Sequence, residues 1–169
     1  TRPGRARGML GGEVTIEAPL GEVEPAAFDG VAVIGGTGAK MYLWFNEDLA
    51  VLLRTADAAA RPVAAVGIAP VALAHAGVLA GRQGAVLMTP ESRRLCRRHG
   101  ARRARRGIVS DEHLLTAAST AHSRDWAEAF AARLPAESAA SDRAWRRRET
   151  SPPRATPRPA APPGGVKRR

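Results

Sequence analysis

The 169 residues suffice for one domain of ordinary size, and a composition 44% hydrophobic and 25% charged can build a buried core, which excludes a wholly disordered chain. The net charge of +10 is concentrated in residues 1–7 (three Arg), 91–106 (eight Arg against Glu91) and 141–169 (nine Lys/Arg against Asp142 and Glu149). The remainder is mildly acidic, a distribution unlike that of a nucleic-acid groove built into a fold.

One cysteine, Cys96, cannot form an internal disulfide, and no Cys/His cluster has zinc-ligand spacing. No apolar run approaches the ~20 residues of a membrane-spanning helix, and no hydrophobic signal core follows the basic start. A soluble, cytoplasmic protein without cofactor, metal or membrane partner is expected.

In chain order, residues 1–11 read as a basic N-terminal remnant. Residues 14–18 predict a short strand stopped by Pro19. Val31-Ala32-Val33-Ile34 is a continuous apolar run of the kind found in strands buried on both faces, ended by Gly35-Gly36-Thr37-Gly38. Asn46 is a good N-cap for a helix with Leu49, Leu52, Leu53 and Ala56 on one face. Arg61-Pro62 breaks that helix, and Val63-Ala64-Ala65-Val66 is a second fully apolar strand. Gly67-Ile68-Ala69-Pro70 turns sharply into a helix over 71–76, closed by Gly77. Residues 85–88 predict another strand, and Thr89-Pro90 opens a helix that runs to about His99 and stops at Gly100. Weaker strands near 105–109 and 113–117 flank a turn at Ser110-Asp111-Glu112. A last helix over 123–134 sets Trp126, Phe130 and Leu134 at helical spacing. Six of the 13 prolines lie in 141–169, which with the basic residues predicts a disordered tail over 135–169.

This alternation predicts an α/β fold of three layers, α/β/α: a flavodoxin-like, doubly wound, mostly parallel sheet spanning 12–134. Ligands of such sheets gather at the carboxyl ends of the strands. Two loops qualify, Gly35-Gly36-Thr37-Gly38-Ala39 and the turn at Gly67, which is shaped like a nucleophile elbow. In an elbow the following backbone N–H and one from a neighbouring glycine loop hold an oxyanion.

Residues 12–134 resemble the ThiJ/PfpI family of the class I glutamine-amidotransferase-like group. The resemblance is carried by Phe28-Asp29-Gly30-Val31-Ala32-Val33-Ile34-Gly35-Gly36, by Tyr42-Leu43-Trp44-Phe45-Asn46-Glu47-Asp48-Leu49, and by the stretch from Arg61-Pro62 through Gly67-Ile68-Ala69-Pro70 to Ala76-Gly77-Val78-Leu79-Ala80-Gly81-Arg82. Thr89-Pro90-Glu91, Gly100-Ala101 and His113-Leu114-Leu115-Thr116-Ala117 continue it. The resemblance places the family's reactive cysteine at Gly67 and its frequent following histidine at Ile68. Gly36 and the amide of Ile68 match the oxyanion-hole positions. The acidic residue that primes the cysteine lies just after the family's first strand, and Gly11-Gly12-Glu13-Val14 looks like the approach to the second, so the first strand is expected to be missing. Glycine has no side-chain atom to attack with. In this topology the first strand lies between the second and third. Its absence implies either altered pairing or an open edge that invites another chain, with lowered stability or association. Homo-oligomers are implied by the resemblance alone.

Other residues read more plainly. Neighbouring arginines would lower the pKa of Cys96, but it lies mid-helix, far in sequence from the elbow, and reads as a structural thiol. His75 is expected packed or on the surface, and His99, His113 and His122 on the surface. Gly36-Thr37-Gly38-Ala39-Lys40 fails the phosphate-loop pattern because Ala39 precedes Lys40 and Met41 follows, and Tyr42 breaks the dinucleotide fingerprint. Asp111-Glu112-His113 reads as a hairpin turn. Arg93, Arg94, Arg97 and Arg98 form adjacent helical ridges, followed by Arg102, Arg103, Arg105 and Arg106. They read as a solvated face or as a weak, sequence-blind phosphate contact without a stacking aromatic. Three functions stay open: a catalytically degenerate binding or scaffold protein; an active cysteine-type hydrolase (peptidase, deglycase or glyoxalase) with another residue acting; and a nucleic-acid or acidic-partner binder using 91–106 and 141–169.

Overall fold

The computed structural model describes residues 4–8 and 11–135; the expected disordered tail, beyond Pro135, lies outside the described residues. In chain order the strands are β1 (Gly4–Arg7), β2 (Glu13–Ile16), β3 (Val31–Ile34), β4 (Val63–Val66), β5 (Gln83–Gly84), β6 (Arg102–Arg103), β7 (Ile108–Asp111) and β8 (Leu114–Ala117). The helices are α1 (Thr37–Tyr42), α2 (Glu47–Ala58), α3 (Pro70–His75), α4 (Pro90–Arg98) and α5 (Ser123–Ala131).

The apolar runs sit side by side as expected. The main sheet has the order β3-β4-β8-β7, with β3, β4 and β8 parallel and β7 antiparallel at one edge. Every residue of β4 and β8 is buried, as a strand covered on both faces requires. Side chains alternate along a strand, so Val63 and Ala65 join Leu53, Leu73 and Leu79 in one cluster. Ala64 and Val66 point the other way and pack with Leu115, Ala117 and Trp126. The result is a flavodoxin-like three-layer α/β/α arrangement, with α2, α3 and α4 on one face and α5 on the other.

The caps set the helix boundaries. Asn46 Oδ1 accepts from the Leu49 N–H at 2.9 Å, and Glu47 and Asp48 place negative charge in the first turn of α2. Thr89 and Ser92 form a reciprocal capping pair at α4, with Pro90 at its first position.

The chain departs from expectation at three places. Residues 85–88 join no ladder: the Ala85 N–H donates to Thr116 Oγ1 at 2.9 Å and the Leu87 N–H to the Gly67 carbonyl at 2.8 Å, so the segment crosses the strand ends instead of extending the sheet. Only β5 precedes it, paired parallel with β6. The strand expected at 14–18 forms as β2, but it pairs antiparallel with β1, inside the basic N-terminal stretch, and not with the main sheet. The glycine loop after β3 runs directly into α1, which glycine content concealed. Among the described residues β3 has one sheet neighbour, β4. Val33 is buried while Ala32 and Ile34 are exposed, so β3 is not covered on both faces as its apolar run suggested: it lies at the edge of the sheet.

Candidate functional site

The parallel strands β3, β4 and β8 end together, and their carboxyl ends carry the two loops singled out above. Gly67, the first residue beyond β4, has φ +71°, the left-handed conformation an elbow demands and glycine adopts without steric cost. Its N–H donates to the Ala117 carbonyl at 2.8 Å, which ties the elbow to the end of β8. Gly35 lies against the elbow so closely that a Cβ there would sit 2.3 Å from the Val66 carbonyl oxygen and 2.9 Å from the Ile68 nitrogen. The buried Trp44 fixes the other side: its Nε1–H donates to the Ile68 carbonyl at 2.9 Å.

These loops enclose a cavity of about 590 Å³. Gly36, Gly67 and Ile68 line it, together with Lys40 and the hydroxyl residues Thr37, Thr89, Ser119, Thr120 and Ser123. Among the described residues neither the Gly36 N–H nor the Ile68 N–H donates a hydrogen bond to protein. Lys40 brings positive charge to the rim and is paired there with Glu91. Among the described residues no cysteine, histidine or carboxylate lines the cavity. Lone amides, an ammonium and hydroxyls can hold a negatively polarised oxygen.

The other candidate residues lie elsewhere. Cys96 is buried in the helical layer beside a second cavity, and burial pushes its thiol up to about 11, opposite to the direction the nearby arginines suggested. His75 pairs with Glu47 at 3.1 Å and stacks edge-on between Phe45 and His99, with ring centroids 5.3 and 5.5 Å away. His113 is not a surface residue. Its ring Nε2 lies 2.7 Å from Asp57 Oδ1, which also accepts from Arg82 Nη1 at 2.5 Å, and the side chain is 13% exposed. This clamp joins the α2, β5 and β7–β8 regions, and it explains why His113 folds inward. Glu112 forms the tip of the β7–β8 hairpin at φ +53°, as the turn reading required. Among the described residues no group of three or more His, Cys, Asp or Glu is placed to hold a metal ion.

The model of the DJ-1/PfpI family matches residues 2–133. The chain belongs to the DJ-1/PfpI family. It is 35% identical over 124 residues to an uncharacterized protein of Methanocaldococcus jannaschii, a match covering 73% of this chain and 60% of the relative, so the chain spans less than two thirds of that protein's length. Among solved structures it is similar to a ThiJ/PfpI domain protein from Brachyspira murdochii, with a TM-score of 0.70, 27% identity, and 76% and 72% of the two chains covered. It shares its fold with Drosophila melanogaster DJ-1beta at a TM-score of 0.66 and 20% identity, covering 80% of this chain and 72% of that one. The DJ-1/PfpI membership agrees with the motifs around Gly36 and Gly67.

Sequence reasoning missed the hydroxyl wall from Ser119, Thr120 and Ser123. Its signal was available: the polar residues Ser119 and Thr120 follow the buried β8 at its ligand-facing end. Trp44 as an anchor of the elbow had no local signal, because its partner lies 24 residues away.

Proposed function

We propose that this DJ-1/PfpI-family protein binds small oxyanion- or carbonyl-bearing molecules at the ends of β3, β4 and β8 and makes no covalent bond to them. The observation that carries this reading is Gly67: the elbow geometry is present while its side chain is a hydrogen, and no thiol lines the cavity. A covalent hydrolase needs an attacking atom and a base to activate it. Among the described residues the hydroxyls of Thr37, Ser119 and Ser123 have no histidine or carboxylate beside them in the lining. The amides of Gly36 and Ile68 bind the ligand oxygen, and Lys40 adds charge at the rim. The site is thus a catalytically degenerate form of a cysteine site, retained for binding.

The domain in this reading spans 12–134. A single free cysteine supports a cytoplasmic setting. Self-association belongs to it as well, as membership of the DJ-1/PfpI family suggests. The exposed arginines of 91–106 carry no stacking aromatic among them, which makes nucleic acid the weaker reading of that stretch.

Amide-resolved NMR during titration with L-lactate tests the binding. The Gly36 and Ile68 N–H resonances are expected to move downfield saturably, and Lys40→Ala to weaken the effect. Shifts confined to other residues, or none, contradict the proposal.

A further inference from the structure

A second cavity, of about 260 Å³, opens between α3, α4 and the β5–β6 pair and shares no lining residue with the strand-end site. Its lining includes Pro70, Leu79, Val86 and Cys96, all buried. Its rim is built from Arg93 and Arg97, one turn apart on α4, and Arg102 and Arg103, which make up β6. Among the described residues none of these four guanidinium groups is paired with a carboxylate, and no acidic residue lines the cavity. The combination is specific. An apolar hole takes a hydrocarbon, and four like charges around its mouth repel one another until an anion sits among them.

We infer that this cavity is a binding site for an anionic amphiphile, a medium-chain carboxylate whose acyl chain fills the space between Leu79, Val86 and Cys96 while its head group pairs with Arg93, Arg97, Arg102 and Arg103. The volume lies just below the roughly 300–1,000 Å³ of sites for drug-sized ligands, which selects a chain of octanoate or decanoate length over a long-chain lipid. Arginine suits the head group because its planar fork pairs with both carboxylate oxygens. The arginine run would also attract phosphate backbones, but a duplex or single strand has no hydrocarbon to place in the hole. The assignment is independent of the strand-end site.

Calorimetric titration of the full chain with decanoate, below its micelle concentration, tests it directly. One saturable site is expected, with affinity rising about fourfold per methylene from hexanoate to decanoate. Decanol, which keeps the chain and lacks the charge, is expected to bind at least about tenfold more weakly, and acetate not measurably. The Arg97→Gln/Arg102→Gln variant, exposed at both positions, is expected to lose about tenfold for decanoate and nothing for decanol. Cys96 is the chain's single thiol, so its alkylation reports on the cavity: decanoate is expected to slow it, and Ala101→Trp, whose side chain enters the mouth, to abolish calorimetric binding. Circular dichroism of each variant establishes that it is folded; the Arg variant carries the test if Ala101→Trp is not. Absence of a saturable site, equal affinity for decanol and decanoate, or unchanged binding in the arginine variant overturns the inference. Binding to phosphatidylglycerol vesicles without binding of free decanoate also overturns it, in favour of a membrane surface.

Discussion

Gly35 and Gly67 face each other across the ends of β3 and β4, and only one of them has room for a side chain. A Cβ at Gly67 would lie 3.8 Å from the Gly35 Cα, an ordinary contact, whereas a Cβ at Gly35 would collide with the backbone of Val66 and Ile68. The elbow therefore keeps the space for a nucleophile and the glycine it packs against, while the position itself is empty of chemistry.

The asymmetry has measurable consequences. Gly67→Cys is expected to fold with a loss of roughly 1–2 kcal/mol, the cost of a side chain at positive φ. Gly35→Ala is expected to cost roughly 3 kcal/mol or more, because the atoms in its way are backbone. Urea denaturation of the two variants checks the order, and equal losses would contradict the geometry.

In Gly67→Cys the two thiols are also expected to differ in reactivity. Cys96, raised to about 11, holds only about a thousandth of its population as thiolate at pH 8. A cysteine at 67 opens onto the cavity beside two free amides and is expected to alkylate much faster. Peptide mapping after timed iodoacetamide treatment separates them.

Trp44→Phe removes the 2.9 Å bond from the indole to the Ile68 carbonyl while keeping most of the buried ring. A loss of about 1 kcal/mol is expected. Because that carbonyl belongs to the residue whose amide faces the cavity, the Ile68 N–H resonance is expected to shift as well. A stability loss without that shift would mean that Trp44 only fills space.

His99 is held below the ordinary imidazole value of 6.5, first by burial and then by the charges of His75 and Arg98. Folding thus favours its neutral ring, and the unfolded chain binds more protons between the two values. The contribution is present above about pH 6.5 and is lost as pH falls through the folded-state value. The urea midpoint is expected to drop between pH 7.5 and 5.5, and His99→Gln to flatten that drop. An unchanged slope would assign the pH dependence to other groups.

Asp57 serves two partners, Arg82 and His113, across elements far apart in sequence. Asp57→Ala is expected to cost about 1–3 kcal/mol, and in the Arg82→Ala background distinctly less. Additive losses would show that the pairing contributes nothing.

What could be read from the chain alone follows the range of the interactions. The runs 31–34 and 63–66 are apolar throughout, which made two parallel strands legible; 63–66 is covered on both faces, 31–34 lies at the sheet edge with Ala32 and Ile34 exposed, and 114–117, interrupted by Thr116, read only as a weaker strand. Asn46, Thr89-Pro90, Gly77 and Gly100 announced helix ends because capping is settled within a few residues. Residues 85–88 misled because an apolar run of four reads the same whether it pairs or merely crosses the strand ends. Helix α1 was hidden by two glycines in its first three positions with its cap. The elbow at Gly67 was found, with the loop at Gly36, because both follow buried strands directly. The inward turn of His113 and the anchoring by Trp44 depend on partners 56 and 24 residues away, which no local pattern encodes.

The most direct test of a binding site without covalent chemistry is turnover by the unmodified chain. With methylglyoxal and with peptide substrates, wild-type protein and Cys96→Ala are both expected to match the buffer rate. Saturable wild-type turnover that survives Cys96→Ala would place an attacking group beside Gly36 and Ile68 and contradict the account.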